Sequence, residues 1–392
     1  MSLKVNASDA ILAWSSVALR PCGKDFARLD CAMAKGAGVG SEPSTAAIRA
    51  EALRDFIARA FVAVGMPDAD AATVAALMAE ADLQGSDGHG VIRLAPYLKR
   101  IRAGGINLRP DIRVVEERAA TALVDGDNGM GHLVMTRAAQ IAGEKAKRAG
   151  IGWAGARFSN HAGPASLYAR MALPRDMIGL YFAVGNANHL PPWGGLDMLL
   201  STNPIAVAIP AGDEAPVVLD MATTVAAYGK VKAKAQRGET MPEGWMIDRQ
   251  GRPLLDPTRA DEGFLLPIGG YKGYGLSLIV GLLAGTLNGA AMGKDVLDFN
   301  RDFKTTTNTG QAIAMIDLAA FGDPAAFKRR VDVLVRDLRA SERMPEVERI
   351  WLPGEQSHAR RVAHERDGIP IGAALRTVLD TVAADLGIAP LA

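Results

Sequence analysis

Short apolar runs alternate with longer amphipathic segments through the middle of the chain, and this order limits the folds available to it. Apolar runs of strand length predict strands over residues 122–124, 151–158 and 178–184. The spacing of apolar residues predicts a helix over 133–148, and Pro164 precedes another. Strands separated by helices in this way are typical of a sheet that is covered by helices.

Two consecutive apolar runs then interrupt the alternation. Residues 205–210 and 217–220 flank a Gly-Asp-Glu segment, a pattern that predicts a β-hairpin. A hairpin adds antiparallel strands, so the predicted class is α/β with α+β character rather than a pure βαβ series. Further helices are predicted over 225–236, 275–287, 324–338 and 371–386, and further strands over 312–316 and 347–352.

The pattern before residue 122 is mainly helical. Apolar residues at helical spacing predict one helix that ends at Gly65 and a second over 69–83. Because proline is tolerated only in the first turn of a helix, Pro96 places the start of a third helix near Leu94. Residues 1–43 have no sustained period and are interpreted as an extension.

The charge balance argues against a polyanionic partner. The chain has 44 Lys and Arg residues against 43 Asp and Glu, a net charge of +1, without long runs of one sign. Its apolar stretch near residues 276–287 falls short of the roughly 20 residues that a membrane span needs. We therefore expect a small-molecule substrate, and neither nucleic acid nor a membrane as partner.

Cysteine usage indicates a reducing compartment. Cys22 and Cys31 are the two cysteines, so the main body of the chain has no disulfide or thiolate metal site. We expect a cytoplasmic protein. A signal peptide is the alternative, because residues 10–19 are mildly apolar, but Asp9, Ser15 and Ser16 fit it poorly.

Motifs of the common enzyme classes are missing from the sequence. The chain lacks G-x-G-x-x-G, so a standard Rossmann site is not predicted. It also lacks H-E-x-x-H, C-x-x-C and G-x-S-x-G, and we expect no metal site.

A glycine-rich segment over residues 85–93 contains the first candidate site residues, His89 and Arg93. Histidine exchanges protons near neutral pH, and arginine binds a carboxylate through two parallel hydrogen bonds. Together they suit the chemistry of a 2-hydroxy acid. The alternative is a loop before a helix, with a structural histidine and a surface arginine.

His161 is the second candidate, in a segment that follows a predicted strand and opens a helix. The positive end of a helix suits anions, so His161 could hold substrate or cofactor. Equally, it could serve only as a hydrogen-bonding residue at the start of the helix.

Asp220 and Lys272 are weaker candidates. Asp220 ends an apolar strand and could accept from ribose hydroxyls, orient a histidine, or cap the next helix. Lys272 lies in a glycine-rich turn before an apolar helix, and phosphate is the natural partner of such a cation. The turn at Gly354 and Glu355 is less informative.

In this order, these segments resemble the type 2 malate/L-lactate dehydrogenase family, which includes ureidoglycolate dehydrogenase, diketogulonate reductase and Δ1-piperideine-2-carboxylate reductase. The resemblance covers roughly residues 48–385. It implies a non-Rossmann nicotinamide-binding domain on a mainly antiparallel sheet, inserted in a helical domain formed by both chain ends, and a homodimer. The implied boundaries are an N-terminal extension over 1–43, a helical substrate and dimerisation domain over 44–122 with 300–392, and an NAD(P)-binding domain over 123–299.

The resemblance also implies roles for individual residues. His89 is similar in position to the family's acid/base histidine, Arg93 to its carboxylate-binding arginine, and His161 to a second active-site histidine that some members use as the base. The positions that resemble the family's cofactor-binding residues, for NAD or NADP, are Leu219, Asp220, Met221, Lys272, Gly273, Gly354 and Glu355. The implied reaction transfers a hydride between NAD(P)H and C2 of a small 2-oxo or 2-hydroxy carboxylate.

One position departs from the family pattern. Many members have Ser or Thr before the histidine, where this chain has Gly88, so the substrate of any one member does not transfer safely. Reduction of cyclic 2-imino acids and a cofactor-binding protein without activity remain alternatives. A Schiff base on Lys272 is a further rival.

Overall fold

The computed structural model describes residues 46–86 and 88–392. The predicted extension over 1–43 lies outside the described residues. The α-helices are α1 Ala50–Ala63, α2 Asp68–Leu83, α3 Leu94–Arg102, α4 Gly131–Ala149, α5 Ser166–Ala169, α6 Tyr228–Arg237, α7 Tyr271–Ala284, α8 Pro324–Ala340, α9 Glu355–Asp367 and α10 Ala373–Leu386. Most of the helices predicted from apolar spacing are confirmed within a few residues.

The strands form one large sheet and two small pairs. They are β1 Ala46–Ile48, β2 Arg113–Glu117, β3 Thr121–Asp125, β4 Ile151–Ser159, β5 Met177–Ala183, β6 Ile205–Ile209, β7 Val217–Met221, β8 Met246–Asp248, β9 Gly263–Leu265, β10 Thr309–Asp317 and β11 Ile369–Ile371. The seven-stranded sheet has the order β2-β3-β4-β10-β5-β6-β7. The predicted α/β class with α+β character is confirmed.

The large sheet is mixed. β3 and β4 run parallel, and the other neighbours run antiparallel. The predicted hairpin is confirmed, because β6 and β7 pair antiparallel with Ile205 opposite Met221. This hairpin ends the sheet and leaves β7 at its edge, where it can line a site.

Small residues bring α4 close to the sheet. Ala138, Ala142 and Ala146 are fully buried on the inner face of α4. A Cβ at Gly152 of β4 would lie 2.0 Å from the Ala142 carbonyl oxygen, so only glycine permits this approach. At the other end of the helix, a Cβ at Gly131 would lie 2.1 Å from the Asn160 carbonyl oxygen, so the N-terminus of α4 lies beside the end of β4.

Helices from both ends of the described chain share one apolar core. Phe56 of α1 and Leu379 of α10 are fully buried in the same cluster. The strands β1 and β11 pair antiparallel in this region, with Ala46 opposite Ile371. The inserted-domain arrangement and the boundaries 44–122 with 300–392 and 123–299 stay predictions. The sheet also includes β2 and β10, which lie on either side of residues 123–299.

The predicted strand over 347–352 is wrong. That segment has no partner strand in the described structure; the Val347 amide turns back to the Met344 carbonyl at 3.1 Å. A further difference is that α9 follows at once, although its polar sequence gave no helical apolar pattern. No helix among the described residues is long and apolar enough to cross a membrane.

Candidate active site

The loop between α2 and α3 presents His89. The Val91 amide donates to Oδ2 of Asp82 at 2.7 Å, which ties the loop to the end of α2. A Cβ at Gly90 would lie only 1.9 Å from Oδ1 of the same carboxylate. The glycine is therefore required by packing, and it holds the backbone beside His89.

The turn after β4 presents His161. The side-chain amide of Asn160 donates to the Gly129 carbonyl at 2.9 Å, which fixes this turn to the segment before α4. The rings of His161 and His89 lie nearly parallel, with centroids 5.5 Å apart and an angle of 10° between their planes. The fold thus brings together two histidines that are far apart in the sequence.

Arg93 lies at the base of the same loop. Its Nε donates to the Gly88 carbonyl at 2.7 Å. The two terminal nitrogens of the guanidinium form no hydrogen bond or ion pair with the part of the chain that the structure describes. Because Arg93 also affects the pKa of both His89 and His161, its charge lies close to the histidine pair.

Three further residues complete the site, and the sequence analysis missed their roles. The hydroxyl of Tyr97 lies 2.5 Å from Nδ1 of His161. Phe299 packs against both residues, with ring centroids 6.0 Å from Tyr97 and 5.9 Å from His161. His132, in the first turn of α4, meets the Tyr97 ring edge-on at 5.8 Å.

The site keeps its histidines neutral at pH 7. Burial, followed by the charge of Arg93, lowers the pKa of His89 to about 4. Burial lowers the pKa of His132 to about 3 and that of His161 well below its usual range. Burial has this effect because it penalises the charged imidazolium.

These lowered pKa values predict an acid-sensitive fold. Between pH 6.5 and the lowered pKa values of the folded state, the histidines bind more protons in the unfolded chain than in the folded one. Their contribution to the free energy of unfolding is therefore fully present above pH 6.5 and is lost as the pH falls. For His132, the loss between pH 7.5 and pH 5 is about 2 kcal/mol. We expect denaturant unfolding to give a lower free energy of unfolding at pH 5 than at pH 7.5. In His132→Leu, this difference should be smaller by about the same amount.

His358→Gln is the matched control for this experiment, because His358 is exposed on α9. We expect that variant to keep the full pH dependence of the wild-type protein. Equal unfolding free energies at the two pH values, or an unchanged difference in His132→Leu, would contradict the account.

The predicted cofactor residues on β7 lie at the edge of the large sheet. Oδ2 of Asp220 accepts a hydrogen bond from the Ser166 amide at 2.8 Å, so Asp220 caps α5. The predicted alternative that it caps the following helix is wrong. Through this bond, β7 is joined to the segment that follows His161, with Leu219 and Met221 on either side of Asp220.

Gly354 lies directly against β7. The Val218 amide donates to the Pro353 carbonyl at 3.0 Å, and Gly354 has a φ of 88°, a conformation that favours glycine. A Cβ at Gly354 would lie 2.8 Å from the Val218 carbonyl oxygen. The structure therefore brings Gly354 together with the strand that carries Leu219 and Asp220.

The Glu355 carboxylate accepts hydrogen bonds from other residues of the protein. Its Oε1 accepts from Arg339 at 2.5 Å, and its Oε2 accepts from the Leu352 amide at 3.1 Å. Burial alone would raise the pKa of Glu355, but the hydrogen bonds from Arg339 and Leu352, together with the charges of Arg339 and Arg349, outweigh burial and lower the pKa. The carboxylate thus orders the start of α9.

Lys272 lies in the first turn of α7, a helix of 14 residues. Its side chain is exposed and forms no ion pair within residues 46–86 and 88–392. Gly273 beside it is required by packing, since a Cβ there would lie 2.0 Å from the Ile268 carbonyl oxygen. No direct contact joins Lys272 to the histidine pair. The turn before α7 is instead tied to the end of β7, because the Ile268 amide donates to the Thr223 carbonyl.

Two stacked neutral histidines lie beside a guanidinium whose terminal nitrogens have no partner among the described residues, a combination suited to proton transfer on an anionic small molecule. The family described as malate/L-lactate dehydrogenase matches residues 48–380 of the chain. The protein belongs to this family and is a dehydrogenase, as the resemblance in its sequence predicted.

Three relatives illustrate the range of the family. Malate dehydrogenase of Pyrococcus horikoshii is 39% identical over 352 residues, covering 86% of this chain and 94% of its own length. L-sulfolactate dehydrogenase of Methanocaldococcus jannaschii is 36% identical, with 83% and 92% covered. Ureidoglycolate dehydrogenase (NAD(+)) of Escherichia coli K12 is 30% identical, with the same coverage of 83% and 92%.

Solved structures of two of these relatives have the same fold. The Pyrococcus horikoshii enzyme superposes with a TM-score of 0.81 at 35% identity, covering 89% of this chain and 99% of its own. The Methanocaldococcus jannaschii enzyme gives a TM-score of 0.79 at 35% identity, with 88% and 98% covered.

Proposed function

We propose that the protein transfers a hydride between NAD(P)H and C2 of a small 2-oxo or 2-hydroxy carboxylate. The observation that carries this proposal is the stacked pair of His89 and His161 beside Arg93. The site offers a carboxylate-binding cation and a proton acceptor within one small volume, which are the groups that a 2-hydroxy acid requires.

Arg93 binds the carboxylate of the substrate. The hydrogen bond from its Nε to the Gly88 carbonyl fixes the plane of the guanidinium. The terminal Nη1 and Nη2 atoms are then available for two parallel hydrogen bonds to C1 oxygens. This places C2, the next carbon, towards the histidines.

His89 exchanges the proton at the C2 oxygen. Oxidation breaks the O–H and C2–H bonds, and the hydroxyl proton passes to His89, which is neutral at pH 7 because its pKa is lowered to about 4. The hydride that leaves C2, or that C2 receives in the reverse direction, would be exchanged with a bound nicotinamide cofactor, which would supply this redox chemistry. In reduction, protonated His89 returns the proton to the oxygen.

The residues near β7 fit an anionic dinucleotide. Lys272 is an exposed cation in the first turn of a helix, where backbone amides also favour negative charge. Leu219, Asp220 and Met221 line the sheet edge, with Gly354 against it. We propose that these residues hold NAD or NADP. Glu355 contributes by ordering α9 rather than by direct contact.

The test is oxidation of NADH and NADPH by a panel of 2-oxo acids. The panel contains oxaloacetate, sulfopyruvate, pyruvate and a cyclic 2-imino acid, and the reverse reaction is followed with the matching 2-hydroxy acids. We expect turnover with at least one 2-oxo acid. Turnover with the imino acid alone would favour the second substrate class, and cofactor binding without any turnover would contradict the proposal.

Gly88 gives a testable prediction on specificity. A Cβ at this position would meet no atom within 4 Å, so Gly88→Ser fits without strain. Because the family serine or threonine places a hydroxyl beside the histidine, we expect this variant to change kcat/KM between panel acids by about tenfold, the effect of one hydrogen bond. Gly88→Ala separates the hydroxyl from the added carbon. An unchanged substrate profile in Gly88→Ser would show that Gly88 does not set specificity.

We also propose a cytoplasmic homodimer. The supporting observation for the dimer is the apolar face that α7 leaves exposed, which includes Ile279 and Leu282. The supporting observation for the location is that the chain has no cysteine after Cys31.

A further inference from the structure

We propose that Tyr97 is a positioning residue that holds the proton of His161 on Nε2, so that His161 donates a hydrogen bond to the C2 oxygen of the substrate. The proposal rests on the proposed function for the identity of that oxygen. It assigns different tasks to the two stacked histidines. His89 moves the proton, and His161 stabilises negative charge on the oxygen.

The hydrogen bonds at Nδ1 of His161 determine the position of its proton. The backbone amide of Gly163 lies 3.4 Å from Nδ1, and an amide N–H can only donate. This long contact favours Nδ1 as an acceptor without a hydrogen. The Tyr97 hydroxyl lies 2.5 Å from the same nitrogen and donates the short hydrogen bond that holds it in this form. In neutral His161, the remaining proton lies on Nε2.

The surroundings keep both partners in these protonation states. Tyr97 is fully buried, and burial raises the pKa of its hydroxyl, so it retains the proton that it donates. Burial first, and then the neighbouring Arg93, His89 and His132, lower the pKa of His161. No carboxylate among the described residues bonds to His161, so nothing there favours an imidazolium.

The stacked geometry lets both histidines reach one substrate oxygen. Their ring centroids are 5.5 Å apart, and two hydrogen bonds to a shared oxygen span about 6 Å. A donor from His161 stabilises the negative charge that develops on this oxygen when its proton passes to His89. Donors aimed at such a charge contribute about 10²–10³-fold in turnover.

The first experiment reads the tautomer directly. In protein labelled with ¹⁵N-histidine, long-range ¹H–¹⁵N spectra at pH 7 distinguish the two neutral forms of each imidazole, and His161→Gln assigns the His161 signals. We expect the Nε2–H form in the wild-type protein and a mixture in Tyr97→Phe. The Nδ1–H form or an imidazolium in the wild-type protein would overturn the proposal, whatever the substrate proves to be.

The second experiment separates a donor from a base by kinetics. His161→Gln keeps an N–H donor near the position of Nε2, whereas His161→Met has a similar shape without a donor. We expect His161→Met to lose about 10²-fold in kcat and His161→Gln to lose at least tenfold less. Equal losses in the two variants would overturn the donor role.

Tyr97→Phe is expected to lower kcat by about tenfold, with KM changed less than twofold, because it removes one hydrogen bond. The matched control is Tyr181→Phe, which removes the hydroxyl of another buried tyrosine, one whose ring stacks on Tyr168. We expect the control to keep wild-type kcat. Unchanged kcat in Tyr97→Phe would contradict the positioning role, whereas failure of the proposed function would appear as no turnover in the wild-type protein.

Discussion

Replacement of His89 by alanine is expected to lower turnover by about 10²–10⁴-fold while cofactor binding is retained. The reason is that His89 accepts the C2 hydroxyl proton, and the neutral imidazole is available because its pKa is lowered to about 4. The predicted cofactor residues lie on β7 and at the starts of α7 and α9, and none of them contacts His89 directly. Steady-state kinetics and nucleotide titration would measure the two effects separately.

The matched control is His358→Ala, because His358 is exposed on α9. We expect wild-type turnover in this variant. Turnover in His89→Ala within threefold of wild type would remove His89 from the acid/base role. Loss of nucleotide affinity in parallel with turnover would instead indicate a structural effect.

Replacement of Arg93 by lysine is expected to lower kcat/KM for the acid substrate by at least about 30-fold. Arginine supplies Nε to the Gly88 carbonyl and two further nitrogens to the carboxylate at the same time. Lysine has one ammonium group and cannot make both contacts in a fixed plane. Loss of a bidentate charged contact costs about 2–5 kcal/mol, which corresponds to this range.

Arg102→Lys is the matched control, because Arg102 is exposed at the end of α3. We expect it to behave as the wild-type protein. Nucleotide affinity should change little in Arg93→Lys, since Arg93 faces the substrate carboxylate. A kcat/KM within fivefold of wild type would contradict the assignment of Arg93.

The sequence predicted the parts of the site that local chemistry marks. His89 and His161 each lie in a short polar segment with glycines, between elements whose apolar periods are clear. The hairpin of β6 and β7 was also predictable, because two strand-like runs flank a turn. Such features depend on neighbouring residues, so a single sequence is sufficient to find them.

The rest of the site depends on tertiary contacts. Tyr97 lies on the buried face of α3, where its sequence pattern is that of an ordinary core residue. His132 occupies the first turn of α4, and Phe299 lies in a long irregular segment. The packing of α3, α4 and the segment around Phe299 brings these residues to His161, and no periodicity in the sequence encodes those contacts.

The prediction of a strand over 347–352 failed for a similar reason. Its alternating residues resemble a strand, but Arg349 stacks over Trp351 at 4.0 Å and the Leu352 amide donates to Glu355. These contacts replace the pairing that a strand would need. Glu355 in turn orders α9. The sequence pattern did not predict this helix because its residues are mainly polar.

Transfer of deuterium from the cofactor tests the central claim most directly. NADH or NADPH that carries deuterium at both C4 positions is incubated with the protein and a 2-oxo acid from the panel, and the product is analysed by mass spectrometry and NMR. We predict deuterium on C2 of the 2-hydroxy product with the wild-type protein, and transfer slowed by about 10²–10⁴-fold in His89→Ala. A product without deuterium, or with the label elsewhere than C2, would contradict the account.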